Sequence, residues 1–370
     1  MAFDAPELIG PAPAVALWGD WITRRRQQFA LYAPDGTPYR HSGFHSSQFR
    51  SAAEKEPDFG LARKSLGGPV LFAGQTPPQF GHVLMNALGR LWALERLPAE
   101  TRLYYVTKKP QRARYHPHLT GVLDLLGIKN ELVVSRHNLR IEQAYCASDL
   151  FGEVYGGLGA PEFHNWIDRR LPPKGPVKPG RAIYVTRGRL GPGQGRYACE
   201  DHLETLLADR GYEIFAPEQH DLATQVDRYQ RAEKLIFAEG SALHLYGMVA
   251  QPGQTIGVIR RRAELPRLIE CQLHDRPGRR IAAIDAVSQV YWPPRPGDHL
   301  AVSVLDFERL GNALASNGLI SSVRGWVAPS DKALELSMKA GLEPDEGLLS
   351  EAERARYVEK RRAAMDGRRR

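Results

Sequence analysis

Apolar residues recur along this chain in two alternating forms, short continuous runs and longer segments with helical spacing. The run Pro69–Gly74 predicts a buried strand, and apolar residues at helical spacing from Val83 to Leu94 predict one helix over 80–97. The same alternation continues with strands over 103–106, 131–134 and 143–146 and a helix over 118–126. This β-α-β rhythm predicts a parallel sheet with helices on its faces.

A proline-rich segment, residues 171–180, separates this part from a second alternating pattern, because neither helices nor strands tolerate so many prolines. Beyond it, strands are predicted over 182–186, 212–215, 235–238 and 255–259, and helices over 200–210, 222–231 and 242–250. This order and these short connections are typical of a doubly wound α/β domain.

The expected domains are therefore three. Residues 1–172 form an α/β domain with an irregular, β-rich start, and residues 173–295 form a Rossmann-like domain. Residues 296–370 add helices and a basic tail, with a helix over 305–315 and a terminal helix that opens on a capping box at Ser350.

Composition narrows the class of protein and of partner. The 370 residues are 42% hydrophobic and 25% charged, as in ordinary soluble domains. A net charge of +8 favours an anionic partner: nucleic acid, anionic lipid or a nucleotide sugar. Three cysteines without a CxxC pair argue against a disulfide framework or structural zinc and favour a reducing cytoplasm. No run approaches the ~20 apolar residues of a membrane span, so we expect any membrane contact to be peripheral.

The most informative segment runs from Tyr184 to Glu200. A strand ends on Arg187, a glycine-rich loop with Arg189 and Arg196 follows, and a helix opens at Glu200. Arginine forks and glycine-exposed backbone N–H groups bind phosphate oxygens, so this pattern predicts a cradle for a diphosphate. A solvated basic loop is the alternative interpretation.

Another strand end, over 239–244, offers a second half of such a cradle. Gly240 and Ser241 open a helix whose backbone N–H groups could face an anion, and Glu239 could accept sugar or ribose hydroxyls. His244 lies one turn into the helix. A simple N-cap role for Ser241 and a core position for His244 are the structural alternatives. The triplet Arg260–Arg262 after the next strand could add positive potential to the site, and a basic surface loop is the simpler interpretation.

His82 is the candidate general base. It falls at the start of the helix after the strand at Val70, where the helix dipole favours a neutral imidazole. A histidine that bonds a nearby carbonyl is the alternative. No HExxH, P-loop, DxD or Ser-His-Asp pattern occurs, so we expect no metal and no cofactor, and no aromatic-laced basic motif points to RNA.

Several of these segments together resemble family 61 glycosyltransferases. The helix FGHVLMNALGRLW over 80–92 is similar to that family's FGHxLxExLxRLW, and Arg187, Arg196 and Glu200 to its "yvsR…R…NE" element. The segments over 211–214, 222–226 and 238–244 follow in the family's order. Two positions depart from its pattern: Asn86 replaces the acidic residue of the helix, and Cys199 replaces the asparagine before Glu200.

The resemblance implies a GT-B fold, two Rossmann-like doubly wound domains facing across a cleft. It implies an inverting, metal-independent transfer of a sugar from a nucleotide-sugar donor to a saccharide hydroxyl, in bacterial relatives often on capsular polysaccharide. On this hypothesis Arg187, Arg196, Gly240 and Ser241 hold the diphosphate, with Glu200, Glu239 and His244 nearby and His82 as the base. An NAD-type oxidoreductase, a catalytically silent binding module of the same fold and a charge-driven nucleic-acid binder remain the alternatives.

Overall fold

The computed structural model describes residues 3, 5–23, 26–43, 49–51, 58–107, 116–135, 137–191, 194–295 and 297–367. Pro192 and Gly193 of the glycine-rich loop, and Arg368–Arg370 of the basic tail, lie outside these residues. The chain divides into two compact units. Unit 1 comprises Met1–Pro172, Gly247–Val249 and Arg267–Asp275; unit 2 comprises Pro173–Tyr246, Ala250–Pro266 and Arg276–Arg370.

A mixed seven-stranded sheet organises unit 1. Its strands are β1 (Leu8–Thr23), β2 (Arg26–Tyr32), β3 (Phe49–Ser51), β4 (Lys64–Gln75), β5 (Arg102–Val106), β6 (Leu132–Ser135) and β7 (Leu139–Ala147). The order is β3-β2-β1-β7-β4-β5-β6, parallel from β7 through β6, with β1 antiparallel to both neighbours. The long β1 replaces the short strands expected at the start of the chain. Because successive residues of a strand point to opposite faces, β1 buries Ala14 and Ala16 on one face of the sheet and Val15 and Leu17 on the other.

The helices of unit 1 are α1 (Phe80–Asn86), α2 (Pro117–Leu125), α3 (Pro161–Arg170) and α7 (Arg267–Asp275). The single helix predicted over 80–97 is wrong: α1 stops at Asn86, and a 3₁₀ segment covers Leu91–Arg96. Tertiary contacts cause the break. The Gly89 carbonyl accepts from the Leu150 N–H at 2.9 Å, and buried Arg90 pairs with Asp149 at 2.7 Å. A helical pattern in the sequence does not reveal such partners.

Unit 2 is built on a fully parallel five-stranded sheet, order β10-β8-β11-β12-β13. These strands are β8 (Lys178–Val185), β10 (Tyr212–Phe215), β11 (Ala232–Ala238), β12 (Thr255–Ile259) and β13 (Arg280–Ile284). The helices between them are α4 (Glu200–Ala208), α5 (Leu222–Arg231) and α6 (Ala242–Val249), whose last three residues are counted in unit 1. The α/β class predicted from the periodicity is confirmed. The ends of β8, β11 and β12 lie side by side, and this adjacency positions the site described below.

A smaller sheet and the C-terminal helices complete unit 2. The sheet, order β14-β15-β9, consists of β9 (Arg196–Tyr197), β14 (Val287–Tyr291) and β15 (Val302–Leu305). The helices are α8 (Phe307–Ser316), α9 (Asp331–Lys339) and α10 (Glu351–Gly367). One half of the predicted capping box is present, because the Glu353 carboxylate accepts from the Ser350 N–H at 2.8 Å, while the Ser350 hydroxyl donates to the same carboxylate at 2.6 Å. Within the described part of the chain, no helix combines the length and apolar character needed to cross a membrane.

Candidate functional site

Three neighbouring strands of unit 2 end at one edge of the parallel sheet, and two of them are followed by arginines. Arg187 follows β8, Gly240 follows β11, and Arg261 and Arg262 follow β12. Because β11 lies between β8 and β12, the loops after all three strands converge. Ligands of open α/β sheets bind at such carboxyl ends, so this edge is the candidate site.

Arg187 is held in place from two sides. Its Nε and Nη2 donate to the Gly195 carbonyl at 3.1 and 3.0 Å, and its backbone N–H donates to Glu200 Oε1 at 2.7 Å. Its Nη1 lies so close to Gly240 that any Cβ at that position would collide with the guanidinium. Arg187 and the loop after β11 are therefore in direct contact, and Gly240 is needed for that approach.

Arg261 is buried, with only 4% of its surface exposed. Its Nη1 contacts the His299 carbonyl at 3.4 Å, while its Nε has no hydrogen-bond partner among the described residues. Burial and the nearby charge of Arg187 lower the pKa of Arg261 to about 10. The expectation of a basic surface loop at residues 260–262 is therefore wrong for Arg261. Strand adjacency, which the sequence order does not give, buries it beside Arg187.

Glu239 anchors the loop after β12. Its side chain is fully buried, and its oxygens accept from the Arg261 N–H at 2.9 Å and from Arg262 Nε and Nη2 at 2.9 and 2.7 Å. The predicted role of Glu239 as an acceptor of sugar or ribose hydroxyls has to be weighed against these contacts. They occupy the carboxylate with protein donors.

Two further glutamates flank the loop after β8. Glu200 Oε1 also lies 2.8 Å from Thr186 Oγ1 and accepts from the Tyr184 hydroxyl at 3.1 Å. Burial raises the pKa of Glu200, and Oε2 is buried without a partner among the described residues. Glu204 pairs with Arg189 at 2.9 Å, which gives that arginine a partner in the protein.

A pocket of about 860 Å³ lies beside these groups within unit 2. Arg187, Arg189, Arg196 and Glu200 line one wall, and residues of α9 and its flanks line another. Two contacts tie α9 to the polar wall: Arg196 Nη2 donates to the Ala340 carbonyl at 2.9 Å, and the Cys199 N–H donates to Ser337 Oγ at 2.8 Å. Burial lowers the pKa of Arg196. The structure thus brings Arg187, Arg196 and Glu200 together, as the sequence predicted.

The loop at the start of α6 contributes differently. Ser241 is exposed at the N-cap position and makes no side-chain cap hydrogen bond, and His244 is half-buried in the helix. Neither these two residues nor Gly240 is among the described residues that line the 860 Å³ pocket. Gly240 is joined to the basic cluster through Arg187. The roles predicted for Ser241 and His244 stay predictions.

His82 lies in the first turn of α1 in unit 1. Its Nδ1 is 3.0 Å from Glu153 Oε1, and 43% of its side chain is exposed. A carboxylate on one ring nitrogen fixes the orientation of the imidazole, as the third group of a base–orienter pair does. Asn86, at the family's acidic position, donates to the His82 carbonyl and accepts from Gln75, both at 2.9 Å. Its amide thus braces the helix.

Sequence reasoning missed Glu153, Glu204 and Arg261 as parts of these constellations. Glu153 is 71 residues from His82, and no local pattern joins them. Glu204 carried a usable signal, since it stands one helical turn after Glu200 on the same face. Among the described residues, no three His, Cys, Asp or Glu side chains are grouped as metal ligands would be.

Comparison with known proteins finds a family to which part of this chain is similar. Residues 80–257 match the family model described as Glycosyltransferase 61. A search of curated proteins returns no significant match. The matched range contains α1 with His82 and the strands β8, β11 and most of β12 that form the basic edge. This match supports a glycosyltransferase enzyme, a class that in general takes a nucleotide-sugar donor and a saccharide acceptor.

Proposed function

We propose, starting from a chain whose residues 80–257 match glycosyltransferase family 61, that it is an inverting, metal-independent glycosyltransferase. It moves a sugar from a nucleotide-sugar to a hydroxyl of a saccharide or polysaccharide acceptor. One observation carries this proposal. Arginines are concentrated at the carboxyl edge of the unit 2 sheet, where burial and the nearby charge of Arg187 lower the pKa of the buried Arg261.

The charge balance of that edge fits a diphosphate. Five arginines, at positions 187, 189, 196, 261 and 262, are gathered with three glutamates, at positions 200, 204 and 239, and with Asp201, which also lines the pocket. Burial raises the pKa of Glu200. An excess of buried positive charge destabilises a protein unless an anion neutralises it. In the reaction, these guanidinium groups would stabilise the negative charge that develops on the departing nucleoside diphosphate.

His82 is proposed as the base that removes the proton from the acceptor hydroxyl. Its free face is accessible, and Glu153 holds its Nδ1, so Nε2 is the nitrogen left to accept the proton. The transition state would resemble an oxocarbenium ion, as in glycoside hydrolysis, and proton removal would strengthen the attacking oxygen.

The remaining parts of the proposal follow the family resemblance. They are a GT-B architecture, Arg187, Arg196, Gly240 and Ser241 as diphosphate ligands, and an acceptor of the capsular polysaccharide type. A cytoplasmic location is included because Cys146, Cys199 and Cys271 are all free thiols.

Asn86 favours one second candidate, a catalytically silent module that binds a nucleotide or a sugar. Asparagine has no carboxylate to offer at the family's acidic position. In the structure its amide is hydrogen-bonded to Gln75 and to the His82 carbonyl. Such a module would bind a nucleotide and would show no transfer or hydrolysis of any sugar donor.

A melting-temperature screen against nucleotide sugars, free nucleoside diphosphates and NADH tests the proposal. A ligand that binds only the folded protein raises the melting temperature. We expect at least one nucleotide sugar and its nucleoside diphosphate to raise the melting temperature. Arg187→Ala should abolish this increase. Arg181→Ala should keep it, because Arg181 lies in the first half of β8 and pairs with Glu213. Stabilisation by NADH alone would replace the proposal with an oxidoreductase.

A further inference from the structure

The hydroxyl of Thr186 is in contact with two carboxyl groups at once. Its Oγ1 lies 2.8 Å from Glu200 Oε1 and 2.6 Å from Glu204 Oε1, and it accepts the Gly188 N–H at 2.9 Å. A threonine hydroxyl has one hydrogen and two acceptor sites. It can therefore donate a full hydrogen bond to one carboxyl only. A full hydrogen bond at the other contact needs a hydrogen that comes from the carboxyl itself.

Two ionised carboxylates cannot both receive a full hydrogen bond here: either one presents a lone pair to a lone pair at hydrogen-bond distance, or the two share the single hydroxyl hydrogen in a weaker three-centre bond. Like charges this close in a buried site also raise the cost of ionising both groups. The three oxygens are satisfied if one carboxyl is protonated and donates to Thr186, which in turn donates to the other. In this arrangement the pair of glutamates carries one proton, whereas two ionised glutamates would carry none.

The surroundings of the two glutamates decide which one holds it. Glu204 has a cation, since Arg189 Nη2 and Nη1 lie 2.9 and 3.4 Å from its oxygens. Glu200 is 5% exposed and has no ion pair among the described residues. Burial also raises the pKa of Glu200. The proton therefore belongs on Glu200.

The groups on the neighbouring elements act on this proton in opposite directions. The titratable or charged neighbours are Tyr184 on β8, Arg187 after it, Arg196 and Tyr197 on β9, Cys199 before α4 and Glu204 on α4. The residues of α9 that line the pocket carry no titratable side chain. Burial raises the pKa of both tyrosines, which stay hydrogen-bond donors. The two arginines favour an ionised Glu200, and they are the groups that compete with the proton.

We propose that Glu200, Thr186 and Glu204 share one proton beneath the arginine cluster, which keeps Glu200 a neutral acid that positions Arg187 without cancelling its charge. The Arg187 backbone N–H is bound to this carboxyl at 2.7 Å. An ionised Glu200 would hold the same N–H but would also neutralise the nearest guanidinium. The neutral acid leaves that charge to an anionic ligand. The link to ligand binding rests on the proposed function; the location of the proton does not.

The proton is tested without ligand on protein labelled with ¹³C at glutamate Cδ. At pH 7 we expect one glutamate signal in the acid form, lost in Glu200→Gln and in Glu204→Gln. Glu213→Gln is the matched control, because Glu213 is a surface carboxylate paired with Arg181 and Arg228, and it should leave the signal unchanged. Absence of the acid signal in the wild-type protein, or its survival in both site variants, would overturn the proposal.

Stability against pH gives a second measurement. A folded state that keeps a proton which the unfolded chain releases loses stability as the pH rises. The loss begins at the ordinary glutamate pKa of about 4.3 and ends at the raised pKa of Glu200. The unfolding constant of the wild-type protein should thus rise relative to that of Glu200→Gln by up to roughly tenfold per pH unit in this window. The opposite trend would show an ionised Glu200.

The consequence for binding is measured with UDP as the probe, by calorimetry from pH 5 to pH 9. The affinity ratio of wild type to Glu200→Gln should be near one at low pH. It should fall by roughly tenfold once Glu200 ionises, since a unit charge has then been added beside the diphosphate. If this affinity ratio stays constant while the acid signal titrates, protonation of Glu200 does not affect UDP binding. If UDP binds to neither protein at any pH and the acid signal is present, the proposed function fails and the shared proton stands.

Discussion

Adjacent arginines after β12 should respond to the same substitution with opposite changes in stability. Arg261 is buried beside Arg187 with an unpaired Nε, whereas Arg262 neutralises the fully buried Glu239. Arg261→Met keeps most of the side-chain volume and removes the charge. Arg262→Met removes the partner of a buried carboxylate. The comparison tests whether positive charge is held at this edge at a cost to stability.

The magnitude for Arg261 follows from its pKa, which burial and the Arg187 charge lower from 12.5 to about 10. At ~1.4 kcal/mol per pKa unit, the charged form is destabilised by about 3 kcal/mol relative to the unfolded chain. Because the pKa of Arg261 is lower in the folded than in the unfolded state, the full loss of stability is present at pH 7. It is relieved only as the pH rises above about 10. Arg261→Met should therefore raise the free energy of unfolding, by up to about 3 kcal/mol less the lost contact with the His299 carbonyl.

Nucleotide binding should change in the other direction. A hydrogen bond from a charged donor contributes about 1.5–3 kcal/mol, so Arg261→Met should weaken UDP binding by roughly tenfold to a hundredfold. Urea unfolding at pH 7 and calorimetry with UDP measure the two effects on the same preparations. Arg262→Met should destabilise by roughly 2 kcal/mol or more, because it leaves Glu239 without its cation. If Arg261→Met destabilises by more than ~1 kcal/mol and leaves UDP affinity unchanged, Arg261 is structural and the charge argument is wrong.

The other predictions concern the base, the arginine anchor and the α9 contact. His82→Ala should lower turnover with a nucleotide-sugar donor by about 10²-fold, and intact turnover would show that the histidine is structural. Glu153→Gln should lower turnover by less and shift the pH–rate profile, because this variant loses only the orientation of the imidazole and the neighbouring charge. Gly240→Ala should weaken UDP binding about as much as Arg187→Ala does, because its methyl group displaces that guanidinium, and calorimetry that shows no loss would contradict it. Ser337→Ala should increase hydrogen exchange at the start of α4 by freeing the Cys199 N–H, with no change expected in unit 1.

Much of the fold was already determined by local sequence patterns. The strands Tyr212–Phe215 and Thr255–Ile259 and the helix Leu222–Arg231 begin and end where the apolar spacing predicts, because each is short and bounded by clear turn or cap residues. The capping box at Ser350 is similarly local. The helix over 80–97 was predicted too long, since its interruption depends on Asp149 and Leu150, more than fifty residues away.

The site divides in the same way. The sequence by itself determined that arginine and glycine follow strand ends and that His82 opens a helix, because these are properties of neighbouring residues. Only the tertiary structure decided that β11 separates β8 from β12, and this order buries Arg261 beside Arg187 and pairs Glu239 with Arg262. It also decided that one threonine hydroxyl meets two carboxyls and that Glu153 reaches His82. Burial and charge neighbours depend on which strands pair, and strand pairing is set by the packing of the whole unit rather than by any local pattern.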